Sequence, residues 1–252
     1  MVNLVVAFVF ISLLSPGFGR GEPSRTFSPL PKAAVIGGSA LSAVVVLSSL
    51  GVGLPISIQY NTAADIPIAH IKQNRKFNAR VAKVVDGDTI RVVHRRYPFS
   101  SGVLSKDRGQ KLSTDSIVVR LAAVDAPETA KASSPGQPFA ETASQFVSDK
   151  VLDKTITVKM LSKDRYGRLV GRVAYRDGVF GVFAPNTDLS MALLDRGLAV
   201  VYEGGGAQYD GRKAEYRATE VYAKKRKRGL WSRRDFESPA EYKRKVRIAR
   251  GR

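Results

Sequence analysis

The sequence predicts a mainly β protein with flanking helices, in which a small five-stranded barrel follows a single transmembrane helix. Three observations lead to this fold class. Five short segments between residues 77 and 175 alternate apolar and polar residues and are separated by turn residues, which is typical of half-buried strands. Helical patterns follow the third and the fifth of these segments. An uncharged run of 22 residues precedes them all.

The uncharged run covers residues 33–54 and is closed by Pro55. At about 1.5 Å per residue, a helix of this length spans the roughly 30 Å hydrocarbon layer of a bilayer. A buried Gly/Ser-rich helix or an extended targeting sequence is the alternative. Residues 1–32, an apolar run and then an Arg/Ser-bearing stretch, resemble a signal or transit segment. We therefore expect a single-pass protein in an organelle (mitochondrial or plastid) or secretory-pathway membrane, with residues 55–76 as a connector.

The predicted strands follow this connector. Apolar residues Phe77, Ala79 and Val81 alternate along the first strand, and the Asp-Gly-Asp sequence at 86–88 is a hairpin turn signal. A Gly/Ser/Lys-rich stretch at 95–116 has no apolar period and is predicted to be a long loop. The five predicted strands are 77–85, 89–94, 117–124, 155–160 and 169–175.

Helix signals fill the spaces between and after these strands. Pro138 stands at the start of an apolar-periodic segment, and Asp188 is a suitable N-cap residue. Ser238-Pro239-Ala240-Glu241 is a capping box with proline at the first helical position. Trp231 is expected to pack the last part of the chain onto the barrel. The predicted helices are 137–150, 189–197, 210–228 and a short terminal helix from 239.

The composition restricts the kind of chemistry and partner. With 41 Lys and Arg residues against 22 Asp and Glu residues, the chain has a formal net charge of +19 and a pI near 10.3. Such an excess favours a polyanionic partner, either nucleic acid or an anionic membrane surface. The absence of cysteine excludes disulfides, thiolate metal sites and cysteine catalysis, and two histidines leave little material for a zinc site. Any metal should therefore have oxygen ligands.

Three short motifs place acids and arginines at turns and strand ends. Asp86 and Asp88 share the first hairpin turn. Arg120 lies on the third strand, which ends at Asp125 and Glu128. An Asp-Arg-Tyr-Gly-Arg sequence at 164–168 precedes the fifth strand. Each motif alone is ordinary turn chemistry. Together they supply carboxylates for a hard cation and for water, and guanidinium groups for a phosphate, which is what phosphodiester hydrolysis requires.

The order of these motifs resembles the staphylococcal nuclease (thermonuclease) family. The matching motifs are Asp-Gly-Asp-Thr, Arg-Leu-x-x-Val-Asp-x-Pro-Glu, Asp-x-Tyr-Gly-Arg, Leu-x-x-Gly-Leu-Ala and Gly-Leu-Trp. The resemblance covers about residues 77–232. The uncharged run in front resembles the fungal membrane-anchored members, described as probable endonucleases. The resemblance implies an OB-fold barrel of the staphylococcal nuclease type at 77–232, followed by a basic C-terminal helix or tail at 233–252. It also implies calcium-dependent cleavage of DNA and RNA.

The resemblance further implies a role for each matching residue. Asp88, Asp125 and the carbonyl of Ala126 would bind Ca²⁺. Glu128 would act as general base or order the attacking water, and Arg120 and Arg168 would hold the phosphate. The implied substrate contacts are Tyr166, Tyr202 and Arg165. Two departures from the family pattern are the long 95–116 loop and a single tyrosine, Tyr202, followed by Glu-Gly-Gly-Gly.

The basic excess is concentrated at the C-terminal end, where residues 205–252 hold 16 basic and six acidic side chains. The Lys/Arg run at 224–228 and the C-terminal helix are expected to contact either a nucleic-acid backbone or anionic lipid headgroups. The predicted function is a membrane-anchored, calcium-dependent endonuclease. The alternatives are an inactive nucleic-acid-binding barrel and a membrane-surface adaptor. The acids among the motifs favour the nuclease, because uncompensated acids repel a polyanion.

Overall fold

The computed structural model describes residues 58–95, 111–130, 134–176 and 186–249. The chain divides between Pro55 and Ile56, and every described residue belongs to the second part. The predicted targeting segment 1–32, the predicted membrane span 33–54 and most of the predicted 95–116 loop lie outside the described residues. Within the described ranges, no helix combines the length and the apolar character that crossing a membrane requires.

Five strands form a closed barrel. Strands β1, β2, β3, β5 and β6 are hydrogen-bonded in the order β3-β2-β1-β5-β6, and a parallel pairing of β3 with β6 closes the ring. A short strand β7 adds to β6, and β4 pairs separately with β8. The strands are β1 Lys76–Asp86, β2 Thr89–His94, β3 Ile117–Leu121, β4 Val124–Asp125, β5 Thr155–Lys163, β6 Leu169–Arg176, β7 Asn186–Asp188 and β8 Val200–Val201. The predicted five-stranded barrel with flanking helices is confirmed.

The barrel core follows from the alternating pattern of the strands. Phe77, Ala79 and Val81 of β1 are buried as predicted, because alternate side chains of a strand point to the same face. The flanking helices cover the barrel and its ends. They are α1 Ile68–Lys72, α2 Ala140–Val151, α3 Leu189–Asp195, α4 Lys213–Lys225 and α5 Pro239–Ala249, with a short 3₁₀ helix at Gly229–Ser232.

Several predicted boundaries were wrong, each for a local reason. The third strand does not run to Val124, because Ala123 has a φ of 68° and the resulting turn divides β3 from β4. Helix α2 begins at Ala140 rather than at residue 137, because Phe139 has a left-handed backbone with a φ of 67°. Helix α4 is shorter than predicted at both ends, and Asp210 instead forms ion pairs with β5 and β6.

The segment before β1 packs onto the barrel. Tyr60 stacks on His94 of β2 with ring centroids 4.8 Å apart, and its hydroxyl lies 2.7 Å from Nδ1 of His70. Phe77 completes this aromatic cluster, and Ile66 is 1% exposed. Both histidines of the chain are therefore used in packing. Residues 58–75 of the predicted connector are therefore part of the folded barrel unit.

Polar contacts fix the later helices. Asp188 caps α3 as predicted, accepting bonds from the backbone N–H groups of Ser190 and Met191. The same carboxylate accepts from Arg212 at 3.0 Å and from the Tyr216 hydroxyl at 2.9 Å. Asp188, at the end of β7, therefore holds the first turns of α3 and α4 in position against the barrel.

Candidate active site

The first part of the site is a buried ion triad on neighbouring strands. Antiparallel pairing of β2 with β3 sets Thr89 opposite Arg120, so Asp88 stands beside the arginine. Nη1 of Arg120 lies 3.0 and 2.9 Å from the two carboxylate oxygens of Asp88. Its Nη2 lies 2.7 Å from Oδ1 of Asp125. The strand register therefore brings three predicted site residues into contact.

Close packing behind the triad requires small residues. A Cβ added to Gly87 would lie 2.7 Å from the Cβ of Ala126 and 2.9 Å from that of Ala143 on α2, so both contacts would clash. The backbone N–H of Ala126 also donates to Asp88 across 3.2 Å. Asp86 accepts a bond from the backbone N–H of Asp88, which confirms its interpretation as a turn former. The turn and the Ala126 loop therefore hold the Asp88 carboxylate in place.

Burial and mutual charge shift the pKa values of the triad. Asp88 and Asp125 are 5% and 2% exposed. Burial raises the pKa of both carboxyls above the ordinary range, and the charge of Asp88 raises that of Asp125 further. Burial by itself would lower the pKa of Arg120, but the two carboxylates raise it overall. The guanidinium therefore stays charged between the two carboxylates.

Glu128 lies just beyond β4 and is held by two other segments. Its backbone N–H donates to the side chain of Gln137 at 3.0 Å, and the Gln137 backbone N–H donates to the Glu128 carbonyl at 2.8 Å. Oε1 of its carboxylate lies 3.0 Å from Nζ of Lys243 on α5. The same ammonium lies 2.9 and 3.1 Å from the two oxygens of Asp125. Lys243 thus links two predicted site acids.

The second predicted arginine sits in a different setting. The side chain of Asp164 accepts from the backbone N–H groups of Tyr166 and Arg168, each at 2.9 Å, and so forms the β5–β6 turn. Its other oxygen accepts from Nε of Arg168 at 2.6 Å. Parallel pairing of Val119 with Leu169 carries this turn to the same end of the barrel as Arg120. The sequence predicted Arg168 but missed Asp164 as its partner.

Three side chains predicted to contact substrate surround these arginines. Tyr166 is 69% exposed, and the guanidinium carbons of Arg165 and Arg168 lie 4.9 and 5.5 Å from its ring centre. Tyr202 follows β8, and its ring centre lies 5.4 Å from the Arg120 guanidinium. Cations over aromatic rings are held by the ring quadrupole. The exposed ring of Tyr166 therefore lies beside Arg165 and Arg168 at this end of the barrel.

All these side chains meet in one cleft of about 980 Å³. Its walls include every predicted site residue except Ala126, which is buried behind Asp88. Sequence reasoning missed the wall formed by α5, which contributes Ala240, Lys243, Arg244 and Arg247. The capping box predicted that α5 is a helix, but no local signal indicated where that helix docks. The barrel turns and the C-terminal helix enclose a single site.

The oxygen atoms of the triad and of the adjacent loop are of the type that binds a hard cation. Asp88 and Asp125 supply two carboxylates, Ala126 follows Asp125 in the chain and supplies a backbone carbonyl, and oxygen ligands are those that Ca²⁺ prefers. Within the described ranges, no three or more His, Asp or Glu side chains are grouped so that they could hold a metal ion. A site at the triad would need backbone or solvent oxygens to complete it.

Comparisons of the sequence with known proteins identify its family. Residues 118–233 match the family model described as staphylococcal nuclease homologue. Endonuclease Htp3 of Saprolegnia parasitica is 34% identical over 203 residues, which are 77% of this chain and 92% of that protein. Probable endonuclease LCL3 of Komagataella phaffii is 34% identical over 208 residues, 79% of this chain and 88% of that protein. Probable endonuclease LCL3 of Saccharomyces cerevisiae is 44% identical over 131 residues, 52% of this chain and 46% of that protein. The chain belongs to the staphylococcal nuclease homologue family.

Proposed function

We propose that this protein is an endonuclease that hydrolyses phosphodiester bonds of DNA, RNA or both with the help of calcium. The observation that carries the proposal is the triad of Asp88, Arg120 and Asp125, with Glu128 and Arg168 on the walls of the same cleft. Relatives that align over most of their length carry endonuclease names, which supports a nuclease. The net charge of +19 supports a polyanionic substrate.

The roles follow from the chemistry of each side chain. Glu128 lines the cleft outside the Arg120 triad and is the acid to which the family resemblance gives this role, so it is the residue proposed to orient and deprotonate the attacking water. Arg120 and Arg168 donate to phosphate oxygens and stabilise the charge that develops on them. Asp164 engages Arg168 through Nε, and the terminal nitrogens are the proposed phosphate donors.

Substrate contacts lie around the phosphate position. Tyr166 offers an exposed ring on which a base or sugar can stack. Arg165 and Tyr202 line the same cleft. Stacking on an aromatic face does not depend on base identity, which agrees with a nuclease of low sequence preference.

Calcium is proposed as the cofactor on the chemistry of the donor set. Asp88, Asp125 and the carbonyl of Ala126 would hold it. When bound, calcium would supply positive charge to the phosphate and lower the pKa of its water. Both carboxylates line the cleft that also holds Glu128 and Arg168, which supports this assignment.

The nuclease proposal is tested with the full-length protein on single- and double-stranded DNA and RNA, with calcium and with a chelator. We expect calcium-dependent cleavage, and we expect Glu128→Gln to lower kcat about 10²- to 10⁴-fold, the usual contribution of a general base. Glu141→Gln on α2, an exposed acid outside the cleft, is the matched control and should retain wild-type activity. Binding of nucleic acid without cleavage would favour the inactive binding barrel instead.

Attachment to a membrane is a separate part of the proposal. It is supported by the uncharged sequence at 33–54, which is long enough for a helix to span a bilayer. The membrane would be that of an organelle or of the secretory pathway. The full-length chain should remain in the pellet after alkaline carbonate extraction, whereas the chain with 33–54 deleted should be released. Release of both would contradict a spanning anchor.

A further inference from the structure

The C-terminal helix places a cation on the site. Helix α5 lies beyond the residues 118–233 that match the family model. Its Lys243 lies within 3.1 Å of both Asp125 oxygens and 3.0 Å from Glu128. One ammonium therefore contacts a proposed calcium ligand and the proposed general base together.

The acceptor positions of Asp88 are already filled. A carboxylate has about four lone-pair positions. Oδ1 of Asp88 accepts from the Thr89 hydroxyl at 2.8 Å and from Arg120 at 3.0 Å. Its Oδ2 accepts from Arg120 at 2.9 Å and from the backbone N–H of Ala126 at 3.2 Å. All of these donors belong to the barrel or to the loop after β4, so departure of Lys243 would leave Asp88 as it is and would free acceptor positions on Asp125 and Glu128.

Most acceptor positions of the Asp125 carboxylate are occupied as well. One of its donors, Lys243, comes from outside the barrel. Its Oδ1 accepts from Arg120 and Lys243, and its Oδ2 accepts from Lys243. Arg120, like the donors to Asp88, belongs to the barrel or to a loop attached to it. Lys243 comes from a helix outside the barrel on a flexible four-carbon stem. It is therefore the donor that can leave at the lowest cost.

The attachment of α5 is mainly polar. Among the described residues of this helix, only Pro239 is buried. Its start is held by the Ser238–Glu241 capping box, and the Tyr242 hydroxyl donates to the carbonyl of Pro135. An 11-residue helix with few buried apolar contacts has little stability of its own, so it can detach locally while the barrel stays folded.

We propose that Lys243 is a resident counter-cation of the site, and that calcium binds only when the Lys243 ammonium leaves Asp125 and Glu128. Docking of α5 therefore sets the calcium affinity of the protein. This inference rests on the proposed function, because it presumes that the acids are a calcium site. It adds that a helix outside the nuclease family match controls access of the ion.

The first test is calcium binding by calorimetry to the full-length wild type, Lys243→Met and Lys245→Met. A charge-assisted hydrogen bond corresponds to roughly a 10- to 100-fold change in a binding constant, so Lys243→Met should bind calcium more tightly by about that factor. Lys245 lies on the same helix and pairs with Glu237 instead of the cleft acids, so Lys245→Met should bind as the wild type does.

The second test needs no substitution. Wild-type protein is acetylated with a lysine-reactive reagent with calcium and with a chelator, and modification is read by mass spectrometry. Calcium should raise the modification of Lys243 several-fold and leave that of Lys245 unchanged. Calcium binding with unchanged Lys243 modification, or equal affinity of the three proteins, would overturn the inference and leave the proposed function standing. Absence of calcium binding in all three, with metal-independent cleavage, would overturn the calcium assignment and the inference together.

Discussion

Two arginines that the sequence assigns to the same task are built into the molecule in different ways. Arg120 is 14% exposed at its side chain and lies between carboxylates that are 7% and 3% exposed. Arg168 is 28% exposed and engages one carboxylate, Asp164, in its own turn. Burial makes Arg120 part of the packing as well as part of the site, whereas Arg168 is attached to the surface by a local turn. The two arginines are proposed to contact the same phosphate, but replacing Arg120 should destabilise the fold more than replacing Arg168.

The largest difference should appear in stability. Arg120→Met leaves two buried carboxylates without their main partner, and breaking such a buried pair costs about 3–5 kcal/mol of unfolding free energy. Arg168→Met removes a partly exposed pair, and the loss should be about 1 kcal/mol or less. Urea unfolding of the full-length chain in mild detergent, followed by the fluorescence of Trp231, measures both. Equal losses would remove the distinction between the two arginines.

The next effect concerns activity. Arg168→Met should lower kcat about 10²- to 10³-fold, the cost of removing one donor to the developing charge, while the unfolding free energy stays near the wild-type value. Arg80→Met is the matched control, because Arg80 forms a similar ion pair with Asp153 on the barrel but lies outside the cleft. Wild-type kcat in Arg168→Met would exclude its contact with the phosphate.

The smallest effect is a pH dependence of the local turn. Burial acts to raise the pKa of Asp164, but the hydrogen bonds from the Arg168 side chain and from the turn backbone lower it overall. A lowered folded-state pKa contributes stability above the unfolded value of about 3.9, and this contribution is lost as the pH falls through the folded pKa. Asp164→Asn should therefore be less stable than the wild type at pH 7.

Urea midpoints measured from pH 7 to pH 3 check this expectation. The difference between Asp164→Asn and the wild type should shrink below about pH 4. Asp153→Asn is the control, because Asp153 is an exposed acid in an ion pair outside the cleft, and surface pairs contribute little. A constant difference across the range would show that the lost backbone hydrogen bonds, and not the charge, account for the effect.

Much of the site could be predicted from local sequence. The Asp-Gly-Asp turn, the Asp188 cap and the Ser238 capping box each depend on hydrogen bonds between residues two or three positions apart, and all three form. The alternation of apolar and polar residues, which is also a short-range pattern, identified the barrel strands. The boundaries that were wrong, at Ala123 and Phe139, depend on left-handed backbone conformations that non-glycine residues adopt only where the surrounding fold compensates the strain.

The sequence by itself determined the strands, the turns and the set of acids and arginines, because these follow from short-range periodicity and hydrogen bonding. The tertiary structure alone decided which of them touch. Arg120 meets Asp88 through the register of β2 and β3, and Lys243 reaches Asp125 across 118 positions in the chain. Such contacts depend on how separate elements pack, and no local pattern records that packing. The ammonium in the acidic site is therefore visible only in the folded molecule.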